Sequence, residues 1–279
     1  MAKGLGRLAG KVAAVAGAGS RGSGIGNGRA IAILFAREGA RVALLDRRRD
    51  WAEETKRMID AEGNESRVFE SDVAAAASVA AAIGGTVAAW GRLDILVNVV
   101  GVFGPAGTAV ELDIEEWERA MRVNLTGMVV TAKHAIPEMR KAGGGAIVNI
   151  SSVAGLRGGS PNLFYPTSKG AVVNLTRAMA AQHGRDLIRV NAIAPGMVYT
   201  PMVAEGGMSP ALREARRRRS LLQTEGTAWD VAEAALYLAS DGARWVTGVV
   251  LPVDAGATAG ELPDLYPSPE RPADPDATR

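Results

Sequence analysis

Short aliphatic and β-branched runs alternate with longer segments of helical period along most of the chain. Strands are predicted over 11–16, 41–46, 66–70, 93–98, 146–150, 188–194 and 249–253, and helices over 27–38, 51–62, 76–89, 115–141, 165–183 and 227–240. In the first helix Ile31, Leu34 and Phe35 share a stripe, and Gly39 ends it before the second strand. The strands are apolar at nearly every position instead of alternating, which predicts burial on both faces. Strands of that kind, each followed by a crossover helix, predict an α/β fold with a doubly wound parallel sheet and helices on both faces. No linker-like composition interrupts the pattern, so 1–260 is expected to be a single domain without repeats, with a lid near 201–226. Five prolines among acidic residues make 261–279 an extended tail in this reading.

In such sheets ligands sit beyond the carboxyl ends of the strands, so the connections there carry the chemistry. The first strand opens into Gly17-Ala-Gly-Ser-Arg-Gly-Ser-Gly-Ile-Gly26, with a helix directly after. Glycines let backbone approach a pyrophosphate, whose charge is met by amides at a helix N-terminus. Asp46 ends the second strand, 20 residues past Gly26. A carboxylate there can accept both hydroxyls of an adenosine ribose and repels a 2′-phosphate, which favours NAD over NADP. Arg21 and the run Arg47, Arg48, Arg49 leave open a clamp on a 2′-phosphate, set against a solvated charge run.

The fifth strand ends in Ser151 and Ser152, followed by Tyr165-Pro-Thr-Ser-Lys169. Tyr165 and Lys169 are four residues apart, so on a helix they leave one face. An ammonium beside a phenol favours the phenolate, drawing a group that normally titrates near pH 10 toward use as an acid or base.

With these residues in place the chain resembles the short-chain dehydrogenase/reductase family over about residues 8 to 258. Asn124 precedes Ser152 by 28 residues, Ser152 precedes Tyr165 by 13, and Lys169 follows by four, close to the family's spacings. The resemblance implies a Rossmann-like sheet and hydride transfer between a nicotinamide dinucleotide and a carbinol or carbonyl carbon. In it Tyr165 is general acid or base, Ser152 donates a hydrogen bond to the same oxygen, and Lys169 lowers the tyrosine pKa and binds the nicotinamide ribose. Asn124 positions a water. It further implies cofactor contacts from Gly17, Ser20, Arg21, Gly24, Ile25, Gly26, Asp46 and Arg47, from Asp72 and Val73 at the adenine, and from Asn98 and Gly101 beneath the ribose. Pro195, Gly196, Val198 and Thr200 would meet the nicotinamide. Two departures stand out: six residues separate Gly17 from Gly24, with Ala16 at the usual threonine, and the motif after the fourth strand reads Asn98-Val99-Val100-Gly101. Ser151, 14 residues before Tyr165, is read as a turn-bonding residue.

Composition narrows the remaining classes. The 279 residues are 47% hydrophobic and 22% charged, ordinary for a globular chain. The absence of cysteine excludes disulfide and thiolate sites, and with His134 and His183 alone no histidine metal site is expected. A formal charge of +2 gives no electrostatic reason to invoke nucleic acid. No apolar stretch follows Lys3 and Arg7, and no run reaches membrane length, so a cytoplasmic protein without a membrane partner is expected. Val102, Phe103, Leu156, Tyr199 and Met202 suggest an apolar pocket for a small-molecule secondary alcohol or ketone. Arg213 and the run 216–219 leave an anionic substrate open beside a solvated helix face. Surplus apolar surface on 120–136 and 171–181, with the resemblance, points to a homotetramer or homodimer. The alternatives are an NADPH-dependent ketoacyl or imine reductase and a non-catalytic dinucleotide-binding protein.

Overall fold

The first strand, β1 (Val12–Ala16), is buried at all five positions, and its residues divide between two cores. Ala13 and Val15 join one cluster, while Val12, Ala14 and Ala16 join the other. A strand that feeds both cores has no polar face to display, which is why its sequence lacks alternation. The computed structural model describes residues 4–22, 24–204 and 207–262. The expected tail lies outside the described residues except for Glu261 and Leu262.

The chain continues through α1 (Asn27–Arg37), β2 (Arg41–Asp46), α2 (Arg49–Ala61), β3 (Ser66–Glu70), α3 (Ala76–Trp90) and β4 (Ile95–Asn98). Then come α4 (Ile114–Met121), α5 (Gly127–Lys141), β5 (Gly145–Ile150), α6 (Phe164–His183) and β6 (Ile188–Pro195). A stretch of short elements follows, with β7 (Val198–Tyr199), α7 (Pro201–Ala204), α8 (Pro210–Arg217) and β8 (Gly226–Thr227), before α9 (Ala228–Ala239) and β9 (Val250–Val253). Seven strands form one parallel sheet in the order β3-β2-β1-β4-β5-β6-β9. The fold is therefore α/β, a doubly wound Rossmann-like sheet. Its order reverses between β1 and β4, which opens a crevice at their carboxyl ends.

Helices α1, α2 and α9 cover one face, with Phe35, Ile59 and Leu236 inaccessible to solvent. On the other face α3, α5 and α6 contribute Ile83, Met139 and Met179. Each such side chain contributes about 1.5–3 kcal/mol by leaving water. Element boundaries match expectation to within two residues with one exception. The helix expected over 115–141 is broken by a π-helical turn, Arg122–Thr126, between α4 and α5. One residue too many for the α repeat leaves no hydrophobic signature, and such turns recur at functional positions. A polar cavity of about 200 Å³, bordered by Lys11, Arg92 and Asp94, opens at the amino ends of the strands, away from the crevice.

Candidate active site

Beyond β1 the chain turns at Gly17, whose φ of +88° suits glycine, and its amide donates to the Leu45 carbonyl at 2.8 Å. Helix α1 then crosses this turn so closely that a methyl at Gly28 would overlap the Gly17 carbonyl oxygen. A Cβ at Gly26 would stand 2.9 Å from Ser20 Oγ, and one at Gly24 would meet the ring of Pro201. The cradle is one of backbone with side chains excluded, the form a pyrophosphate needs, and it faces the N-terminus of an 11-residue helix. A nicotinamide dinucleotide fits this donor set.

Asp46 stands beside the cradle. Its Oδ2 accepts from the Gly19 amide and its Oδ1 from the Arg48 amide, both at 2.9 Å. Burial raises its pKa, opposed by those two amides. Gly19 carries no signal of its own in the sequence, yet a Cβ there would lie 2.7 Å from Asp46 Oδ2. Among the neighbouring arginines, Arg48 pairs with Asp50 and Arg49 with Glu53. Arg21 and Arg48 both lie over the Trp51 ring, at 5.6 and 4.9 Å. Arg47 is exposed and acts on Asp46 only through space.

The most prominent residue missed by sequence reasoning is Arg29, which no solvent reaches. Its guanidinium donates to the carbonyls of Ser20, Gly22, Gly24 and Trp51 and to Thr55 Oγ1, at 2.7 to 3.2 Å. An arginine inside a helix stripe reads as a surface residue, so only the length of the glycine loop hinted that something must fill it.

At the carboxyl end of β5, the Ser152 hydroxyl stands close enough to the Tyr165 phenol to favour its ionised form, and Ser152 Oγ accepts from the Ala154 amide at 3.1 Å. Lys169, one turn along α6, is 3% exposed and donates from Nζ to the Ile150 carbonyl at 2.9 Å. Its Nζ stands 5.8 Å from the Tyr165 ring centre. Burial lowers the Lys169 pKa to about 8. Burial also raises the Tyr165 phenol, with the Ser152 hydroxyl acting the other way. Burial sets the direction at Tyr165, and the Lys169 ammonium donates to the Ile150 carbonyl. Ser151 behaves as read, donating to the Lys169 carbonyl at 2.7 Å. Gly155 was missed: a Cβ there would come within 2.6 Å of the Lys169 carbonyl oxygen, so only glycine lets the serine loop reach α6.

Asn124 sits in the π turn, fully buried. Its Oδ1 accepts from the Val102 amide at 2.8 Å, and its Nδ2 donates to the Val102 carbonyl and to Ser168 Oγ. Its side-chain amide is thus committed to the loop after β4 and to α6. Gly101 does line this corner, since a Cβ would lie 3.2 Å from Lys169 Nζ. Asn98 turns away, bonding Asn149 and Thr131 within the buried sheet. Asp72 accepts from the Ala74 amide in a turn, and the Val73 methyls pack on Gly127 at the start of α5. Pro195 ends β6, and Gly196, Val198 and Thr200 follow it closely, with Gly196 pressed against Asp254. Val198 and Thr200 are buried.

Of the expected pocket residues, Phe103 packs on Tyr165 with ring centres 5.4 Å apart, and Leu156, Tyr199 and Met202 remain over a third exposed. The basic run is scaffold: Arg213 and Arg216 grip the buried Glu225, Arg216 also reaches the Val198 carbonyl, and Arg217 and Arg218 pair with Glu214. Among the described residues no cluster of His, Cys, Asp and Glu could hold a metal, and no helix is long and apolar enough to cross a membrane.

A family model described as enoyl-(acyl carrier protein) reductase matches residues 19–258. The chain is 39% identical to cis-4-hydroxycyclohexanecarboxylate dehydrogenase of Sinomonas cyclohexanicum, over 89% of this chain and 97% of that protein. A crystal structure of a short-chain dehydrogenase/reductase from Burkholderia xenovorans superimposes with a TM-score of 0.86 at 41% identity, covering 92% of this chain and 99% of that one. A 7α-hydroxysteroid dehydrogenase complexed with NADH and 7-oxo glycochenodeoxycholic acid superimposes with a TM-score of 0.83 at 33% identity, covering 90% and 95%.

Proposed function

The chain belongs to the short-chain dehydrogenase/reductase family, and from that premise we propose that Ser152, Tyr165 and Lys169 carry its chemistry at a secondary alcohol or ketone. It is an oxidoreductase of CH–OH groups that uses a nicotinamide dinucleotide. The observation that carries the assignment of residues is the gathering of Ser152, Tyr165 and the buried Lys169 ammonium, 5.8 Å from the tyrosine ring centre, at the carboxyl end of β5.

When bound, the dinucleotide supplies the hydride acceptor or donor. Tyr165 takes or returns the proton of the substrate oxygen at its phenol oxygen, and the Ser152 hydroxyl donates to that same oxygen as charge develops on it. Lys169 holds positive charge beside the phenol and offers Nζ protons to the nicotinamide ribose. Asn124 keeps the Val102 loop and α6 in register, so that Lys169 and Gly101 stay together. The glycine loop and Asp46 would hold the pyrophosphate and the adenosine ribose, with Asp72 and Val73 toward the adenine and Thr200 toward the nicotinamide.

We propose NAD over NADP. Asp46 places a half-buried carboxylate beside the cradle, whereas Arg48 and Arg49 are engaged by Asp50 and Glu53. The NADPH-dependent reductase is the second reading, supported by Arg21 and Arg48 over Trp51. Residues 1–260 would form the catalytic domain, and α7 and α8 would cover the substrate, against the exposed apolar Leu156, Tyr199 and Met202. Assembly as a homotetramer or homodimer is proposed through α5 and α6, supported by Val129, 45% exposed on α5. A cytoplasmic location belongs to the same proposal.

A panel of secondary alcohols with NAD, and of ketones with NADH, tests the reading through reduced-nicotinamide absorbance. Turnover of at least one apolar secondary alcohol is expected; no turnover with any member in either direction or with either dinucleotide would overturn it.

A further inference from the structure

An arginine that water never reaches ordinarily pairs with a carboxylate, because an uncompensated interior charge is expensive. Arg29 does not. All five of its N–H donors are used, and every acceptor is uncharged: four backbone carbonyls and one threonine hydroxyl. Asp46 and Glu54 influence it only through space, and Arg57 opposes them. The fold has therefore placed a full positive charge at the third residue of α1, beneath the glycine loop, and has not neutralised it.

The choice of acceptors has a geometric consequence. The described peptides are trans, so each carbonyl points opposite to the amide N–H that follows it. With the carbonyls of Ser20 and Gly24 drawn inward to the guanidinium at 3.1 and 2.7 Å, the amides of Arg21 and Ile25 point away from it. Amides that face outward around a turn make a concavity for anions. Thr55 Oγ1, which also donates to the Ala18 carbonyl at 2.8 Å, and the Trp51 carbonyl fix the guanidinium from the α2 side. The loop needs such a splint because it is long: six residues separate Gly17 from Gly24.

We propose that Arg29 is a positioning residue for the dinucleotide pyrophosphate: it turns the carbonyls of the long glycine loop inward, aims the amides of Arg21 and Ile25 outward, and supplies the positive charge behind them. This rests on the dinucleotide-dependent reading above. Lysine cannot replace it in full, having three donors for five acceptors in the wrong geometry.

Equilibrium binding of NADH, ADP-ribose and adenosine to Arg29→Ala, with melting and circular dichroism as controls of folding, provides the test. NADH and ADP-ribose should weaken about 10- to 100-fold, the range for hydrogen bonds to a charged group, while adenosine, which has no phosphate, changes little. Ethylguanidinium should restore ADP-ribose binding to R29A, and ethylurea, of the same shape without the charge, should not. Arg29→Lys should fold and bind ADP-ribose with intermediate affinity, and it carries the test by itself if R29A does not fold. Unchanged ADP-ribose binding in folded R29A or in R29K, an equal loss for adenosine, or equal rescue by ethylurea would each overturn the proposal. Wild-type protein that binds neither NADH nor NADPH would remove the dinucleotide reading as well, whereas the outcomes just named remove this one alone.

Discussion

The two sides of the crevice are built from different materials. Around Gly17 to Gly28 the site is backbone: glycines that admit no Cβ, carbonyls turned onto Arg29, and a helix end. Around Ser152 to Lys169 it is side chain: a hydroxyl, a phenol and an ammonium, each with its pKa or its hydrogen bonds set by burial. Shape is the working property of the first region and proton affinity that of the second. Substitutions in the two should therefore fail differently, the first in binding and the second in turnover.

The largest contrast is expected from Tyr165→Phe. The ring still packs on Phe103, so dinucleotide affinity should stay within a few-fold, while kcat falls by about 10²–10⁴, the usual contribution of a general acid or base. Activity within a few-fold of wild type in steady-state assays would remove the tyrosine from the chemistry.

Gly28→Ala attacks the other side. Its methyl would overlap the Gly17 carbonyl, which belongs to backbone and cannot rotate aside. A stability loss of about 1–3 kcal/mol by urea unfolding is expected, with KM for the dinucleotide raised far more than kcat is lowered. A variant as stable as wild type with unchanged KM would show that α1 has room to move.

The side-chain region has a signature that backbone cannot have. Burial lowers the Lys169 pKa to about 8 in the folded protein, against 10.5 for the unconstrained side chain. Below both values the lysine is charged folded or unfolded, and its burial penalty is fully present. Between them the folded chain has released the proton and the unfolded chain still holds it, so this group's contribution to stability improves as pH rises through that window. Lys169→Met should be inactive yet more stable than wild type at pH 7. Its advantage should shrink by about 2 kcal/mol near pH 9.5. A gap that does not change with pH would mean that Lys169 is not held in this way.

The smallest effect is expected at the border between the regions. Asp46→Ser keeps a hydroxyl for the Gly19 amide but loses the charge, so the ratio of kcat/KM for NAD to that for NADP should fall about tenfold, the worth of roughly one hydrogen bond to a charged group. An unchanged ratio would mean that the carboxylate serves only the loop.

This difference in material also explains what the sequence reveals. Tyr165 and Lys169 announce themselves because acid–base chemistry requires particular residue types at a helical spacing, and Asp46 does so by ending a strand. The seven-stranded sheet was legible because buried parallel strands are apolar throughout. Arg29 was not, because nothing in Asn-Gly-Arg-Ala distinguishes a buried guanidinium from a solvated one; its role depends on carbonyl directions that carry no residue signature. Gly155 and Gly19 were hidden for the same reason, since their function is to be absent from a contact. The π turn at Arg122–Thr126 could not be read either, as it only shifts the phase of one long amphipathic pattern, and with it the side chain of Asn124. The arginines at 213 and 216–218 read as a charge run, while their partners, Glu214 and Glu225, needed the fold to be found.

The central claim is that hydride passes between the carbinol carbon of a secondary alcohol and the dinucleotide while Tyr165 handles the proton. It is tested most directly with an alcohol deuterated at that carbon, by mass spectrometry of the dinucleotide recovered after turnover. The account predicts one deuterium in the reduced dinucleotide, and none transferred by Tyr165→Phe under the same conditions. Ketone formed with the deuterium lost to solvent, or full transfer by Y165F, would contradict it.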